Sequence, residues 1–187
     1  MNNKLVFICF GILLALLTAC GAEYSDSNPI KLDFEDPDSL ISESEVIERG
    51  FVYRLYTTEG FYNEGDKVNI TAELEYVGEL EEVTISHAAS PFYFPMHEAS
   101  RDYDIEYPMN TPLLVTVLKK GEPLVETYTG AGGYSDEDSK EYIEFMKQVM
   151  NQQFPNGKYL VTGLAEFYDE TNGASYKFDG QIQFVVE

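Results

Sequence analysis

Apolar and polar residues alternate along most of the chain after residue 50, which is the pattern of strands with one face on a core. The clearest run covers 68–76, where the apolar positions are Val68, Ile70, Ala72, Leu74 and Tyr76. Asn, Thr and Glu occupy the positions between them. This run therefore predicts an antiparallel strand with one polar side.

Other runs of the same period predict seven more strands, at 51–56, 83–87, 103–107, 113–119, 124–129, 158–169 and 175–186. The turn residues Lys120-Gly121-Glu122-Pro123 predict that the strands at 113–119 and 124–129 form a hairpin. Asn172-Gly173 predicts a second hairpin between the last two strands.

Helical spacing occurs once, late in the chain, and its apolar positions are Tyr142, Phe145, Met146, Val149 and Met150. Ser135 is the expected N-cap, and the acidic residues 136–138 suit the first turn of a helix over about 136–152. Eight strands and one helix predict a mainly β fold, an immunoglobulin-like antiparallel β-sandwich with one inserted α-helix.

Residues 20–50 differ from the rest, because they are rich in Ser, Asp and Glu and poor in large apolar residues. This composition predicts a flexible acidic linker. Within it, 38–47 could form either a short helix or an edge strand. The predicted organisation is thus a signal segment at 1–19, a linker at 20–50 and the sandwich domain at 51–187.

The first twenty residues combine one early lysine, an apolar run over 5–17 and a cysteine behind two small residues. The run is too short to span a bilayer comfortably and is typical of a signal peptide. Leu17-Thr18-Ala19-Cys20 resembles the lipobox of bacterial lipoproteins, with a Gram-positive bacterium as the expected source. The resemblance implies cleavage before Cys20 and a thioether-linked diacylglycerol on its sulfur. An ordinary secretory signal is the alternative.

Two short stretches of the domain resemble immunoglobulin-like sandwiches. In Phe154-Pro-Asn-Gly-Lys-Tyr159-Leu-Val161, a proline/glycine turn precedes a tyrosine, as in domains where that tyrosine makes a corner hydrogen bond. Together with the run 65–72, it resembles the small intracellular proteinase inhibitor family of Gram-positive bacteria. The export signal and the helix depart from that family. The resemblance therefore implies the fold and no functional residue.

The charge balance is strongly acidic, with 12 Lys and Arg against 33 Asp and Glu and a formal net charge of −21. Loss of Lys4 with the signal peptide would leave 11 Lys and Arg against 33 Asp and Glu, a formal net charge of −22. Such a surface repels nucleic acid and anionic lipid headgroups. We therefore expect no nucleic-acid partner, and attachment to the membrane through the lipid anchor.

Candidate chemistry is sparse in this sequence. Cys9 and Cys20 are the only cysteines, so a processed and lipidated chain would lack a free thiol. His97-Glu98-Ala99-Ser100-Arg101 has arginine where zinc peptidases of the HExxH type have their second histidine. His87 is expected to be a satisfied or rim histidine. The candidates for a metal site, calcium above all, are the clustered carboxylates of Asp102, Asp104, Asp136 and Asp138. The two histidines with Asp102 and Asp104 are an alternative set of ligands, which the sequence does not bring together.

The sequence thus predicts no catalytic residue, metal or cofactor. It favours a membrane-anchored extracytoplasmic lipoprotein that acts as a non-catalytic interaction module and binds a protein at the cell surface. The candidate partner surface is Phe92, Tyr93 and Phe94, although these residues could instead pack in the core. The alternative function is an extracytoplasmic, metal-dependent carrier or enzyme whose site is assembled from distant residues.

Overall fold

The structure is a computed structural model that describes Phe34 and residues 39–187, and Cys20 lies outside this part of the chain. Its strands are β1 (Glu43–Glu48), β2 (Phe51–Thr57), β3 (Phe61–Tyr62), β4 (Ile70–Tyr76), β5 (Glu82–His87), β6 (Phe92–Tyr93), β7 (Met96–Glu98), β8 (Tyr103–Ile105), β9 (Leu114–Lys119), β10 (Leu124–Thr127), β11 (Gly157–Asp169) and β12 (Ala174–Val186). The helix α1 (Lys140–Met150) lies between β10 and β11.

The strands form two sheets, arranged as a sandwich with a single helix. The smaller sheet has the order β1-β2-β4-β10, and the larger sheet has the order β3-β12-β11-β5-β9, with β6, β7 and β8 attached. Alternating side chains from both sheets are buried between them, as the period of two requires. The predicted mainly β, immunoglobulin-like sandwich is confirmed.

The long hairpin of β11 and β12 organises the larger sheet, and it pairs from Gly157 opposite Val186 to Asp169 opposite Ala174. The other edge of β11 is shared by β7, β6 and β5, which pair with it one after another along its length. Residues 92–98 are therefore part of the larger sheet. This arrangement fixes which of their side chains point inward.

The two sheets approach closely where Gly163 lies opposite Gly180. A Cβ on Gly163 would lie 2.7 Å from the Tyr53 hydroxyl and from both methyl carbons of Leu55. Real Cβ atoms do not tolerate that distance. The absence of a side chain thus lets Tyr53 and Leu55, both fully buried on β2, pack directly on the β11 backbone.

The predicted hairpin between the strands at 113–119 and 124–129 is wrong. β9 pairs with β5 in the larger sheet, whereas β10 pairs with β4 in the smaller sheet. The turn at residues 120–123 therefore crosses from one sheet to the other. The Gly121 N–H donates to the Tyr76 carbonyl oxygen at 3.0 Å, which ties this crossing to the end of β4.

The helix begins later than predicted, because Ser139 is its N-cap, with its hydroxyl accepting from the Tyr142 N–H at 3.2 Å. Ser135 instead forms a separate turn, in which its N–H donates to the Asp138 carboxylate at 2.6 Å. Of the alternatives left open for residues 38–47, the edge strand is the observed one, as β1 pairs with β2. Sheet structure thus extends into the predicted linker 20–50.

Candidate functional site

The most prominent exposed apolar feature of the described residues lies on β9 and directly before it. The side chains of Leu113, Val115 and Val117 are 79%, 61% and 50% exposed. On the other face of the strand, Leu118 is buried and Leu114 is 43% exposed. Because side chains alternate across a strand, the three exposed residues form one stripe on the outer face of the larger sheet.

The stripe continues across the sheet to β11. Val115 lies opposite Ser86 of β5, and Ser86 lies opposite Tyr168 of β11, so these three side chains occupy one row on the outer face. Tyr168 is also exposed. We define the β9 surface as the outward side chains of Leu113, Val115, Val117 and Tyr168. Strand pairing holds them on a rigid frame.

β9 is an edge strand, and β5 is its only strand partner in the larger sheet within the described part of the chain. The Lys120 N–H donates to the Glu81 carbonyl oxygen at 2.9 Å, so backbone groups of even-numbered β9 residues point toward β5. Consistently, the Thr84 carbonyl oxygen, opposite Val117, accepts from Glu170 of the next strand. The N–H and C=O groups of Val115 and Val117 therefore point to the open edge.

The edge lies in one of several stretches of this very acidic chain that contain no acidic residue. Residues 107–121 include no Asp or Glu, and their only charges are Lys119 and Lys120. Lys119 lies opposite Glu82, and Lys120 bonds with the Glu81 backbone. Lys119 and Glu82 carry opposite charges on paired residues, so their charges offset each other. Like-charge repulsion at this edge is therefore weaker than the net charge of the chain implies.

A second feature is a small acidic pocket of 340 Å³ between β8 and the start of α1. Its acidic lining residues are Asp102, Asp104, Glu106 and Asp138. Burial raises the pKa of Tyr142, and the negative charges of Asp138, Glu106 and Asp104 raise it further. The pocket therefore has a negative potential. It unites three of the four predicted metal candidates, and Asp136 is not among its lining residues.

His97 contacts two of these carboxylates. Its Nδ1 lies 2.8 Å from Asp104 Oδ1, and its Nε2 lies 3.5 Å from Asp102 Oδ1. Both ring nitrogens thus have partners. His87 is likewise satisfied, as predicted, with Nδ1 2.9 Å from the Ala88 carbonyl oxygen and Nε2 2.9 Å from Thr116 Oγ1. Among the described residues, no group of three or more acidic, histidine or cysteine side chains is placed to hold a metal ion.

The zinc-peptidase resemblance of residues 97–101 has no structural counterpart, because His97 and Glu98 are neighbours on β7 and point to opposite faces. Glu98 is fully buried. Its carboxylate accepts from the N–H groups of Ser100, Arg101 and Lys158 and from the Arg101 guanidinium at 2.8–3.1 Å. Burial acts to raise the pKa of Glu98, but these hydrogen bonds hold it below its ordinary value. The role of this carboxylate is structural.

The predicted partner surface at Phe92, Tyr93 and Phe94 is wrong for both phenylalanines. Phe92 and Phe94 are buried in the core, and Phe94 packs edge-to-face on Tyr107 at 5.5 Å. Only Tyr93 is partly exposed. The reason is strand pairing: Phe92 and Tyr93 form β6 beside β11, so alternation turns residues 92 and 94 inward. Core packing, the alternative for this segment, is what the structure shows.

Sequence reasoning missed the β9 surface. The run Leu113-Leu114-Val115-Thr116-Val117-Leu118 suggests a strand covered on both faces, whereas one face and one edge are open. The gap in acidic residues over 107–121 is a signal, but 83–97 and 145–165 are also free of Asp and Glu, so the gap alone does not select β9. A solvated strand of so acidic a chain would be expected to carry carboxylates on its outer face.

Comparison with protein-family models and with curated proteins found no match for this chain. Among the described residues, no helix has the length and apolar character needed to span a membrane. Cys20, the predicted lipidation site, lies outside the described residues.

Proposed function

We propose that the chain is a lipid-anchored extracytoplasmic protein that binds a partner protein through the β9 surface. The observation that carries this proposal is the exposed apolar stripe of Leu113, Val115 and Val117 on a rigid edge strand. Contiguous exposed apolar residues mark interaction sites, whereas scattered ones are ordinary. The proposed partner surface is therefore this stripe and not residues 92–94, which the sequence favoured.

The β9 surface has the composition expected of an interface core. Its four members are aliphatic or tyrosine side chains, as in the core of an interface. Ser86, which lies between Val115 and Tyr168, donates to the Glu170 carboxylate at 2.7 Å, so one charged group lies within this row. Burying one such side chain contributes about 1.5–3 kcal/mol before the costs of association are subtracted. Because the strand frame is already ordered, little further ordering of the backbone opposes binding.

The anchor is the sequence-based half of the proposal and rests on Leu17-Thr18-Ala19-Cys20. Two acyl chains on Cys20 would hold the protein at the outer face of the cell membrane. Labelling cells with a clickable fatty acid tests this directly. Wild type should incorporate the label, and Cys20→Ala should not. Label in neither chain, or in both equally, would remove the anchor from the proposal.

Photo-crosslinking tests the binding surface. Benzoylphenylalanine in place of Val117 should capture a distinct protein in membranes of the native host, whereas the same group in place of Glu144, exposed on α1, should not. Val115→Lys in the same chain should weaken capture at position 117 by about tenfold or more. Gln148→Lys adds the same charge on exposed α1 and should leave capture unchanged. Equal capture from positions 117 and 144 would contradict the proposal.

The alternative, a metal-dependent carrier or enzyme, has only the acidic pocket in its favour. The Asp102 carboxylate contacts His97 Nε2, and the Asp104 carboxylate contacts His97 Nδ1. The Asp138 carboxylate accepts a hydrogen bond from the Ser135 N–H. These side chains already serve local structure. We therefore rank the interaction module first.

A further inference from the structure

We propose that the open edge of β9 pairs with β9 of a second copy of this chain, antiparallel and about a two-fold axis at Thr116. The larger sheets of the two copies would then form one continuous sheet. This inference rests on the proposed function, because it assigns the occupant of the edge beside the β9 surface. It concerns backbone groups at the strand edge, whereas partner binding uses the outward side chains.

The register follows from the hydrogen-bonding pattern of β9. Of the odd-numbered residues of β9, Lys119 already uses its carbonyl oxygen to accept from the Glu122 N–H at 3.0 Å in the turn. Val115 and Val117 remain, and they flank Thr116 symmetrically. Placing Val115 opposite Val117 of the second copy uses the N–H and C=O groups of both residues, in about four hydrogen bonds across the axis. Thr116 then lies opposite Thr116 of the second copy, in a pair that exchanges no backbone hydrogen bond. A two-fold axis of this kind gives a closed dimer.

Charge distribution favours a second copy as the occupant. Each chain carries a formal charge of −21, so most mutual approaches bring like charges together. The β9 edge avoids this, because residues 107–121 have no carboxylate and Lys119 lies opposite Glu82. Two copies can thus meet at a neutral, apolar strand. Natural proteins usually protect a free edge with charge, a bulge or proline. Here Pro112 and Lys119 stand at the two ends of the strand, and the residues between them carry no charge and no proline.

Pairing would also enlarge the β9 surface. In the antiparallel arrangement, Val115 and Val117 of the two copies alternate on the same outer face. The two stripes therefore merge into a single apolar surface, with Tyr168 of each copy at its ends. A partner protein would meet twice the apolar area that one copy offers.

Disulfide scanning of the full chain in membranes tests the register. Residues that face each other without exchanging backbone hydrogen bonds have Cα atoms about 4.5 Å apart, which a disulfide can bridge. Thr116→Cys should therefore give a reducible covalent dimer under mild oxidation. Val115→Cys and Val117→Cys should give several-fold less, because their like residues lie diagonally, about 7–8 Å apart. The unmodified chain controls for dimers formed through Cys9 or Cys20.

A second variant separates pairing from misfolding. Val117→Pro removes an N–H that points to the open edge, and edge strands accept proline at such a position. In the Thr116→Cys background it should abolish the dimer while resistance to limited proteolysis is kept. A dimer that persists with Val117→Pro, equal crosslinking at all three positions, or no dimer from Thr116→Cys would overturn the proposal. If photo-crosslinks to another protein persist in that last case, only the second copy is refuted and the proposed function stands.

Discussion

The hydroxyl of Tyr159 donates a hydrogen bond to the carbonyl oxygen of Pro155 at 2.6 Å, which closes the turn that leads into β11. Tyr159 is fully buried, and its ring stacks on Phe184 of β12 at 4.8 Å. Burial raises the pKa of Tyr159, so the hydroxyl stays protonated and available as a donor. The corner hydrogen bond predicted from the resemblance of Phe154–Val161 is thereby confirmed.

Tyr159→Phe should lower the free energy of unfolding by about 1–3 kcal/mol, because it leaves the Pro155 carbonyl without this partner. Tyr53→Phe is the matched control, since the buried Tyr53 hydroxyl has no hydrogen-bond partner among the described residues. That variant should be neutral or slightly stabilising. Urea unfolding of the purified chains measures both. A larger loss from Tyr53→Phe than from Tyr159→Phe would show that the corner bond contributes little.

Glu98→Gln should destabilise the fold by about 2 kcal/mol or more at neutral pH, because an amide N–H₂ then faces several N–H donors. The pKa of Glu98 is lowered in the folded state, so its contribution is complete above the ordinary glutamate pKa and is lost as pH falls through the folded value. The difference from wild type should therefore narrow below about pH 4. Urea unfolding at pH 7, 5.5 and 3 measures it. If the difference in free energy of unfolding between wild type and Glu98→Gln stays constant over these pH values, the lowered pKa of Glu98 is contradicted.

Asp138→Asn should lower the pKa of Tyr142 toward its ordinary value, because one of the charges that raise it is removed. The change should be partial, since burial is the larger cause. Asp136→Asn is the control, as Asp136 does not line the acidic pocket. Alkaline titration followed by tyrosine NMR signals, with Tyr142→Phe for assignment, measures the shift. Equal effects of the two variants would mean that long-range charge, not the pocket, sets the potential.

The sequence predicted elements more reliably than it predicted their neighbours. The strands at 51–56, 68–76 and 158–186 were found because alternation is a local property of one strand. The hairpin of 113–119 with 124–129 was wrong because a four-residue turn can either reverse the chain within a sheet or carry it to the facing sheet. That choice depends on β4 and β5, which are distant in sequence.

The candidate sites were difficult to predict for the same reason, because their geometry depends on residues that are distant in sequence. Phe92 and Phe94 form a conspicuous aromatic cluster in the sequence, but their direction is set by pairing with β11, about seventy residues later. The sequence alone identifies Asp102, Asp104 and Asp138 as candidate ligands, because they are acidic and clustered along the chain. That they line one pocket depends on how α1 packs beside β8. The sequence favours Ser135 as the N-cap because Asp138 follows it by three residues, but Ser139 is also a serine ahead of the apolar periodicity. Side-chain geometry, which the sequence does not contain, selects Ser139.

We propose above that the chain acts outside the cell membrane and that its β9 surface is covered there by another protein. Cysteine accessibility tests both parts at once. The chain has no cysteine besides Cys9 and Cys20, so Val117→Cys and Glu144→Cys each introduce one reporter thiol. Both positions are exposed in the isolated fold. Both should therefore react quickly with a maleimide in dilute purified chain.

The decisive measurement is the labelling of intact cells of the native host with a membrane-impermeant maleimide. We expect Glu144→Cys to react with the maleimide and Val117→Cys to be protected from it. Val115→Lys in the same chain should restore the reaction at position 117. Equal and rapid reaction at positions 117 and 144 would contradict the binding surface. Reaction at neither position until the cells are lysed would contradict the extracytoplasmic location.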